Sequence, residues 1–161
     1  LEGAVDGLRR GDAAVLGSIV ERSVRIKKGI VEMDERDQGI RRILNLGHTV
    51  GHAIEAESGY AAAHGEAVGM GIVAAIRLSE RLHGFPAAER KRVEALMDRA
   101  GLPGKIPTAI RTEGIVRRLA ADKKREGKSV RFVMLRRIGM PFVNGGVPED
   151  VLIETIEEMK R

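Results

Sequence analysis

The sequence predicts a mainly α-helical domain with one small β-hairpin near residues 129–143. Apolar residues recur at helical spacing through most of the chain, and strand-like alternation is confined to the stretch SVRFVMLRRIGMPFV. The length of 161 residues suits one domain that buries a core without disulfides. We therefore treat residues 1–161 as a single helical domain.

Helix start and stop signals place the first three elements. A long helix runs from about Asp12, a suitable N-cap, to about Asp34. A second helix is predicted from about Ile40 to Glu57. A third spans 65–82 and is rich in Ala, Val and Ile, so we expect it to be buried.

Turn residues divide the rest of the chain. Pro86 and Gly101 bracket an amphipathic helix, and the Pro- and Gly-rich stretch LPGKIPTAI is predicted to be a loop. A short helix is predicted from about Thr112 to Ala121, before the basic run DKKREGK and the hairpin. Pro148 then opens a helix through PEDVLIETIEEMKR.

Composition narrows the class of function. The net charge is +5, but three Phe, one Tyr and no Trp leave little to stack on bases, so an acidic small molecule is favoured over nucleic acid. No apolar run reaches the length of a membrane span.

The absence of Cys means that a bound metal must be ligated by His, Asp or Glu, and it suits a reducing cytoplasm. Neither GxGxxG after a strand nor GxxxxGK[ST] occurs, so this chain encodes no nucleotide-binding loop of either type, and a cofactor domain, if one exists, lies upstream. The first residue is Leu rather than Met, so we expect the chain to be a piece of a longer polypeptide.

Three of the four histidines lie in the stretch 41–64. On a continuous helix at about 100° per residue, Arg41, Asn45, His48 and His52 fall within about 60° of one another. A metal ion or a polyanionic substrate is the natural partner of such a stripe. A single histidine could instead be a core residue whose ring bonds to a backbone carbonyl. The grouping of three histidines favours a functional site over that interpretation. For His83, which lies at a helix end, we expect the purely structural role.

Two further residues refine the prediction. Thr49 stands where a zinc-protease helix has Glu, which argues against a metalloprotease. Asp37 lies four residues before Arg41 and extends the stripe by a turn, so it is a candidate to accept a proton from a metal-bound water.

Taken together, the segment KKGIVEMDERDQGIRRILNLGHTVGHAIEAESGYAAAHGEAVGMG resembles the C-terminal half of the 3-dehydroquinate synthase family, which is part of the sugar phosphate cyclase superfamily. The resemblance continues through ADKKREGKSVRFVMLRRIG. It implies a helical domain that carries metal and substrate groups, and an N-terminal NAD-binding domain that is absent from this chain. The active site would lie in the cleft between the two.

The resemblance also assigns roles to residues. The four-residue spacing of His48 and His52 would by itself pair these two as zinc ligands. The resemblance implies instead that His48 and His64 ligate zinc or cobalt and that His52 is an active-site histidine rather than a ligand. A third ligand, a glutamate, would belong to the missing half. The implied substrate-binding residues are Lys27, Arg41, Asn45, His52 and one of Lys123 or Lys124, and the implied catalytic residues are His52, Asp37, Asn45 and Arg41. Asp37 replaces the family's usual Glu and is one methylene shorter.

The implied activity is that of a lyase of the shikimate pathway, which leads to chorismate and the aromatic amino acids. It converts 3-deoxy-D-arabino-heptulosonate 7-phosphate into 3-dehydroquinate and phosphate, with NAD regenerated in each turnover. The family implies a cytoplasmic homodimer, and we expect this piece alone to be inactive because it lacks the NAD-binding domain. Two alternatives stay open: another cyclase of the 2-deoxy-scyllo-inosose or valiolone type, or a non-catalytic helical metal-binding module.

Overall fold

Helices and one antiparallel hairpin form the part of the chain that the structure describes. The computed structural model describes residues 1–36, 39–126 and 130–160, and of residues 122–126 it describes the backbone alone. The elements are α1 Val5–Arg9, α2 Ala13–Met33, a 3₁₀ helix Ile40–Asn45, α3 His48–Glu57, α4 His64–His83, α5 Ala87–Ala100, α6 Thr112–Glu126, β1 Phe132–Leu135, β2 Pro141–Asn144 and α7 Glu149–Glu158. The predicted fold class, mainly α with a hairpin near 129–143, is confirmed.

Helix α4 is the centre of the core, as its apolar sequence predicts. It packs against α3, α5, α7 and β1. Its buried side chains include Ala67, Met70, Val73, Ala74, Ile76 and Leu78. The helix ends where Gly84 adopts a left-handed φ of 68°, a conformation that glycine adopts without steric cost.

Helices α3 and α4 cross with their backbones in contact. A Cβ atom at Gly71 would overlap the carbonyl oxygen of Gly47 and would lie 2.8 Å from the amide nitrogen of Gly51. One turn further along α3, a Cβ at Gly51 would lie 3.0 Å from the carbonyl oxygen of Ala67. The pairing runs antiparallel, so the next turn of α3 meets the first turn of α4. Glycine at these positions is what permits so close a crossing.

The predicted continuous helix from Ile40 to Glu57 is wrong. The chain forms a 3₁₀ helix to Asn45, passes through Gly47 with a φ of 80° and starts α3 only at His48. The physical reason is the crossing, because Gly47 lies so close to α4 that its Cβ would meet the backbone nitrogen of Ile72 at 2.7 Å. A right-handed helix cannot continue through that left-handed residue. Residues 41–45 therefore do not share one helical stripe with the histidines.

The hairpin is buried more deeply than its alternating pattern predicts. Strand β1 pairs with β2 from Phe132 opposite Asn144 to Leu135 opposite Pro141, and all four β1 residues are buried. The backbone N–H of Leu135 donates to the Ser79 hydroxyl at 3.0 Å, and that hydroxyl donates to the carbonyl of Ala75 at 2.6 Å. This contact fixes β1 against α4.

The remaining predicted helices are present with shifted ends. Helix α5 stops at Gly101, which has a φ of 76°, and α6 runs to Glu126 rather than to Ala121. The short helix α1, Val5–Arg9, was not predicted because five residues are too few to show a period. None of the described helices combines the length and the hydropathy needed to cross a bilayer.

Helix α2 lies at the edge of the domain. The Asp12 carboxylate accepts from the backbone N–H groups of Ala14 and Val15 at 2.9 and 3.2 Å, so its predicted role as N-cap is confirmed. The helix contacts α1 and the 3₁₀ helix, and none of its side chains is buried. Val20 and Ile26 are 60% and 65% exposed.

We predict that Gly71→Ala lowers the free energy of unfolding by about 1–3 kcal/mol, because the added methyl forces the two helix backbones apart. Gly17→Ala in α2 is the matched control. A Cβ there meets nothing within 4 Å, so we expect a gain of about 0.4–1 kcal/mol. Urea unfolding followed by circular dichroism measures both, and equal stability of the two variants would contradict the crossing geometry.

Candidate metal and substrate site

Three histidines converge where α3 meets the start of α4. His48 is the first residue of α3, His52 lies one turn later, and His64 is the first residue of α4. The ring centroids are separated by 5.3 Å for His48 and His52, 5.6 Å for His48 and His64, and 5.8 Å for His52 and His64. One ring nitrogen from each histidine lies within 4.8 Å of the other two. The crossing of α3 over α4 produces this cluster.

Two of the three rings are held in the orientation that a metal ligand needs. The Nδ1 atom of His48 lies 3.2 Å from the carbonyl oxygen of Leu46, and the Nδ1 atom of His64 lies 3.2 Å from Oε2 of Glu55. Both partners are acceptors only, so each Nδ1 carries the proton when these bonds form. The Nε2 lone pair of each ring is then available, as in histidines that bind metals in proteins.

His52 differs from the other two histidines. Within the described ranges its ring packs edge-on against His48 and stacks on His64, but it forms no hydrogen bond. It is also exposed, whereas His48 is half-buried. No described hydrogen bond therefore fixes the tautomer of His52, and its ring nitrogens stay available to a bound molecule.

The cluster fits a divalent metal. Zinc bonds to histidine nitrogens at about 2.0–2.1 Å, so two ligating nitrogens lie about 3.4 Å apart in a tetrahedral site. The ring nitrogens lie within 4.8 Å of one another, so the rings must approach more closely to share one ion. The His64 side chain is 56% exposed, so solvent rather than packed side chains borders it on one side. The side of the cluster formed by His52 and His64 is open to solvent.

The predicted anion-binding residues lie on neighbouring elements. Arg41 is in the 3₁₀ helix, where its backbone N–H donates to Asp34 Oδ2 at 3.1 Å and its Nη1 donates to the carbonyl of Glu35 at 3.3 Å. Asn45 ends the same helix and is exposed, and Lys27 is exposed on α2. Among the described residues, none of these three forms a hydrogen bond or an ion pair with the histidine rings.

Three predicted residues cannot be placed at the site. Asp37 lies outside the described residues, and so do the side chains of Lys123 and Lys124, although both lysines fall within the backbone of α6. Their roles stay predictions. His83, the fourth histidine, closes α4 at the end opposite His64 and packs its ring edge-on against Phe142 at 5.0 Å.

The sequence reasoning missed two glutamates at the end of α3. Glu55 bonds to His64, and Glu57 binds two arginines that reach across to α3. A usable signal was present for Glu55, since it follows His48 by seven residues and so lies two helical turns along the same face.

Glu57 joins α3 to α6 beside the cluster. Its carboxylate, 5% exposed, accepts from Arg118 at 3.1 Å and from Arg111 at 3.0 Å. These two hydrogen bonds, with that from Arg118 the stronger influence, lower the pKa of Glu57 below the ordinary glutamate value. The carboxylate also occupies the space that a Cβ at Gly114 would fill, so α6 packs directly on this ion pair.

The fold and the cluster together define a class: a helical domain in which three imidazoles converge at a helical hairpin and could hold a metal ion. Residues 1–125 match the family model described as 3-dehydroquinate synthase C-terminal. The chain belongs to that family. The resemblance found in its sequence is confirmed.

Solved structures of sugar phosphate cyclases share the fold. A 2-epi-5-epi-valiolone synthase from Streptomyces hygroscopicus subsp. jinggangensis 5008, with NAD⁺ and Zn²⁺ bound, matches with a TM-score of 0.83 and 19% identity over 98% of this chain and 44% of its own. A 2-deoxy-scyllo-inosose synthase complexed with carbaglucose-6-phosphate, NAD⁺ and Co²⁺ matches with a TM-score of 0.78 and 23% identity over 89% of this chain and 41% of its own. The chain thus spans less than half the length of either relative, and at these identities the likeness shows the fold alone.

We predict that Glu57→Gln makes the free energy of unfolding less dependent on pH below neutrality. Because the folded-state pKa is lowered, the ionised carboxylate stabilises the fold above the unfolded-state value of about 4.3, and this contribution is lost as the pH falls through the folded-state pKa. The variant should be less stable than the wild type at neutral pH, and the gap should narrow on acidification.

Urea unfolding between about pH 7 and about pH 3 measures this effect. Glu113→Gln, which changes an exposed glutamate in the first turn of α6, is the control. Wild-type and Glu57→Gln curves that stay parallel over the whole range would refute the role of the two arginines.

Proposed function

We propose that this chain is the metal- and substrate-binding domain of a 3-dehydroquinate synthase. The enzyme converts 3-deoxy-D-arabino-heptulosonate 7-phosphate into 3-dehydroquinate and phosphate. One observation carries the proposal: the ring nitrogens of His48, His52 and His64 converge within 4.8 Å in a chain of this family. The proposal includes the shikimate pathway, a cytoplasmic location and a homodimer.

His48 and His64 are the proposed metal ligands. Each has its Nδ1 hydrogen-bonded to an oxygen acceptor, and this leaves Nε2 for the ion. Zinc or cobalt is the proposed metal and NAD the proposed cofactor, supported by the cyclase structures that hold NAD⁺ with Zn²⁺ or Co²⁺. The bound metal would supply Lewis acidity at substrate hydroxyls, and NAD⁺ would supply a hydride acceptor. The chain spans 41% and 44% of these relatives, and the proposal assigns most of the NAD contacts and the remaining metal ligand to a part of the protein that this chain does not include.

His52 is proposed to act on the substrate directly. Its exposed ring lies beside both proposed ligands and forms no hydrogen bond within the described residues, so its nitrogens are available to bond to a substrate oxygen and to transfer a proton there. Asp37 is proposed to assist it.

The substrate's carboxylate and phosphate require cationic partners. Lys27, Arg41, Asn45 and one of Lys123 or Lys124 are the proposed ones. The 3₁₀ helix that carries Arg41 and Asn45 packs on α2 and on both strands, so it is a rigid support for an anion site. The backbone of α6 carries the two lysines past the Glu57 ion pair.

A second candidate is another sugar phosphate cyclase. The observation in its favour is that the matching solved structures are synthases of 2-deoxy-scyllo-inosose and 2-epi-5-epi-valiolone. The family match over residues 1–125 favours the dehydroquinate enzyme. The substrate separates the two, because only the heptulosonate carries a carboxylate for Arg41 to bind.

We predict that the intact protein turns over the heptulosonate phosphate with a kcat/KM more than about 100-fold above that for a heptulose 7-phosphate without the carboxylate, or for a hexose 6-phosphate. A site built to bond a charged group discriminates against a substrate that lacks it. Phosphate release measures all three rates. Preference for either sugar without a carboxylate would transfer the assignment to the second candidate.

We predict that His48→Ala and His64→Ala each weaken Zn²⁺ binding to the intact protein by more than about 100-fold, a larger loss than a lost outer-shell partner causes. His52→Ala should keep the metal and lose turnover. The control is His83→Ala, which changes the histidine at the far end of α4. Zinc content after dialysis against a chelator measures binding, and retention of a full equivalent by either ligand variant would rule out the proposed site.

A further inference from the structure

We propose that Glu55 is the positioning residue of His64, fixing the orientation and tautomer of this ring for the metal. The inference rests on the proposed function and adds to it a residue that the sequence analysis did not assign. Glu55 lies in the last turns of α3, and His64 is the first residue of α4, so one hydrogen bond joins the two helices at the cluster.

The side-chain contact constrains a ring that is otherwise free to rotate. The His64 side chain is 56% exposed, whereas the Glu55 side chain is only 20% exposed. A half-buried carboxylate is the more fixed of the two partners, so it sets the position of the imidazole. Because a carboxylate accepts and does not donate, the bond selects the Nδ1–H tautomer and leaves the Nε2 lone pair free.

The main chain of Glu55 also determines where His64 lies. The carbonyl oxygen of Glu55 accepts from the Ser58 hydroxyl at 2.7 Å and from the backbone N–H of Tyr60 at 2.9 Å. The Ser58 hydroxyl oxygen accepts in turn from the backbone N–H of Ala62 at 3.2 Å. These bonds hold the loop that connects α3 to His64 against the end of α3. The bonds to the Glu55 backbone therefore place His64 near the end of α3, and the hydrogen bond to its ring comes from the Glu55 side chain.

The geometry distinguishes positioning from ligation. The described ligand atoms that converge on one point belong to the three histidines alone, and Glu55 is not among them. The carboxylate bonds to Nδ1, the nitrogen of the ring that is not needed for the metal. His48 has a neutral carbonyl in the corresponding place, so the charge of Glu55 acts on His64 specifically. A negative acceptor at this position makes the ligating nitrogen a stronger donor to the metal.

The test compares Glu55→Ala and Glu55→Gln with wild type in the intact protein. Glu66→Gln is the matched control, because it removes an exposed carboxylate from the first turn of the helix that His64 begins. Three measurements are made: the His64 tautomer by ¹⁵N NMR of the metal-free protein, the Zn²⁺ affinity by chelator competition, and the Co²⁺ absorption spectrum.

In the wild type and in Glu66→Gln we expect His64 to carry its proton on Nδ1. In Glu55→Ala the proton should redistribute to Nε2 and the Zn²⁺ affinity should fall by about 10–100-fold. Glu55→Gln, whose amide oxygen can still accept, should keep the tautomer and lose less affinity. The Co²⁺ absorption of saturated Glu55→Ala should retain the wild-type coordination number.

Three outcomes would overturn the inference. An unchanged tautomer together with wild-type affinity in Glu55→Ala would show that Glu55 does not position the ring. A lower coordination number in the Co²⁺ spectrum of either variant would make Glu55 a ligand instead. A wild-type protein that binds no Zn²⁺ would overturn the proposed function as a whole, whereas the first two outcomes leave that function in place.

Discussion

The close crossing of α3 over α4 is the constraint on which the site depends. Gly71 admits the carbonyl oxygen of Gly47 into space that any side chain would occupy. The contact ends the 3₁₀ helix, starts α3 at His48 and brings the last turns of α3 alongside His64. The two histidines with an acceptor at Nδ1 are thus the first residues of the two helices that cross.

The chemistry of the cluster follows from unequal surroundings of three identical side chains. Two rings have an oxygen acceptor at Nδ1 and one does not, within the part of the chain that the structure describes. The first two are therefore the proposed metal ligands, and the third, His52, is the proposed active-site histidine beside them. The three residues are of one type, so the proposed difference in their roles comes from their hydrogen-bond partners. The same division of roles is implied by the family resemblance in the sequence.

Much of the fold could be predicted from the sequence, because apolar residues recur at helical spacing and capping residues mark the helix ends. The Asp12 cap, the buried α4 and the Gly101 terminus all follow from local chemistry. The break at Gly47 could not be predicted, because a lone glycine in an apolar helical pattern is compatible with an uninterrupted helix. Its left-handed conformation is imposed by α4, which approaches from 20 or more residues away along the chain. The burial of every β1 residue likewise depends on tertiary packing.

The grouping of His48, His52 and His64 could be predicted from the sequence, but the geometry that brings them together could not, and the roles of the site residues stay predictions. The continuous helical stripe was wrong, and the histidines converge because two helices cross. Glu55 was missed because a glutamate near a helix end usually faces solvent, and its partner is supplied by a different helix.

A crystal of the intact protein soaked in Zn²⁺ and measured at the zinc absorption edge tests the central claim most directly. The account predicts one anomalous peak about 2.0–2.1 Å from Nε2 of both His48 and His64, with the His52 ring outside bonding distance. A peak bonded to His52 in place of either, or no peak between the two rings, would contradict it.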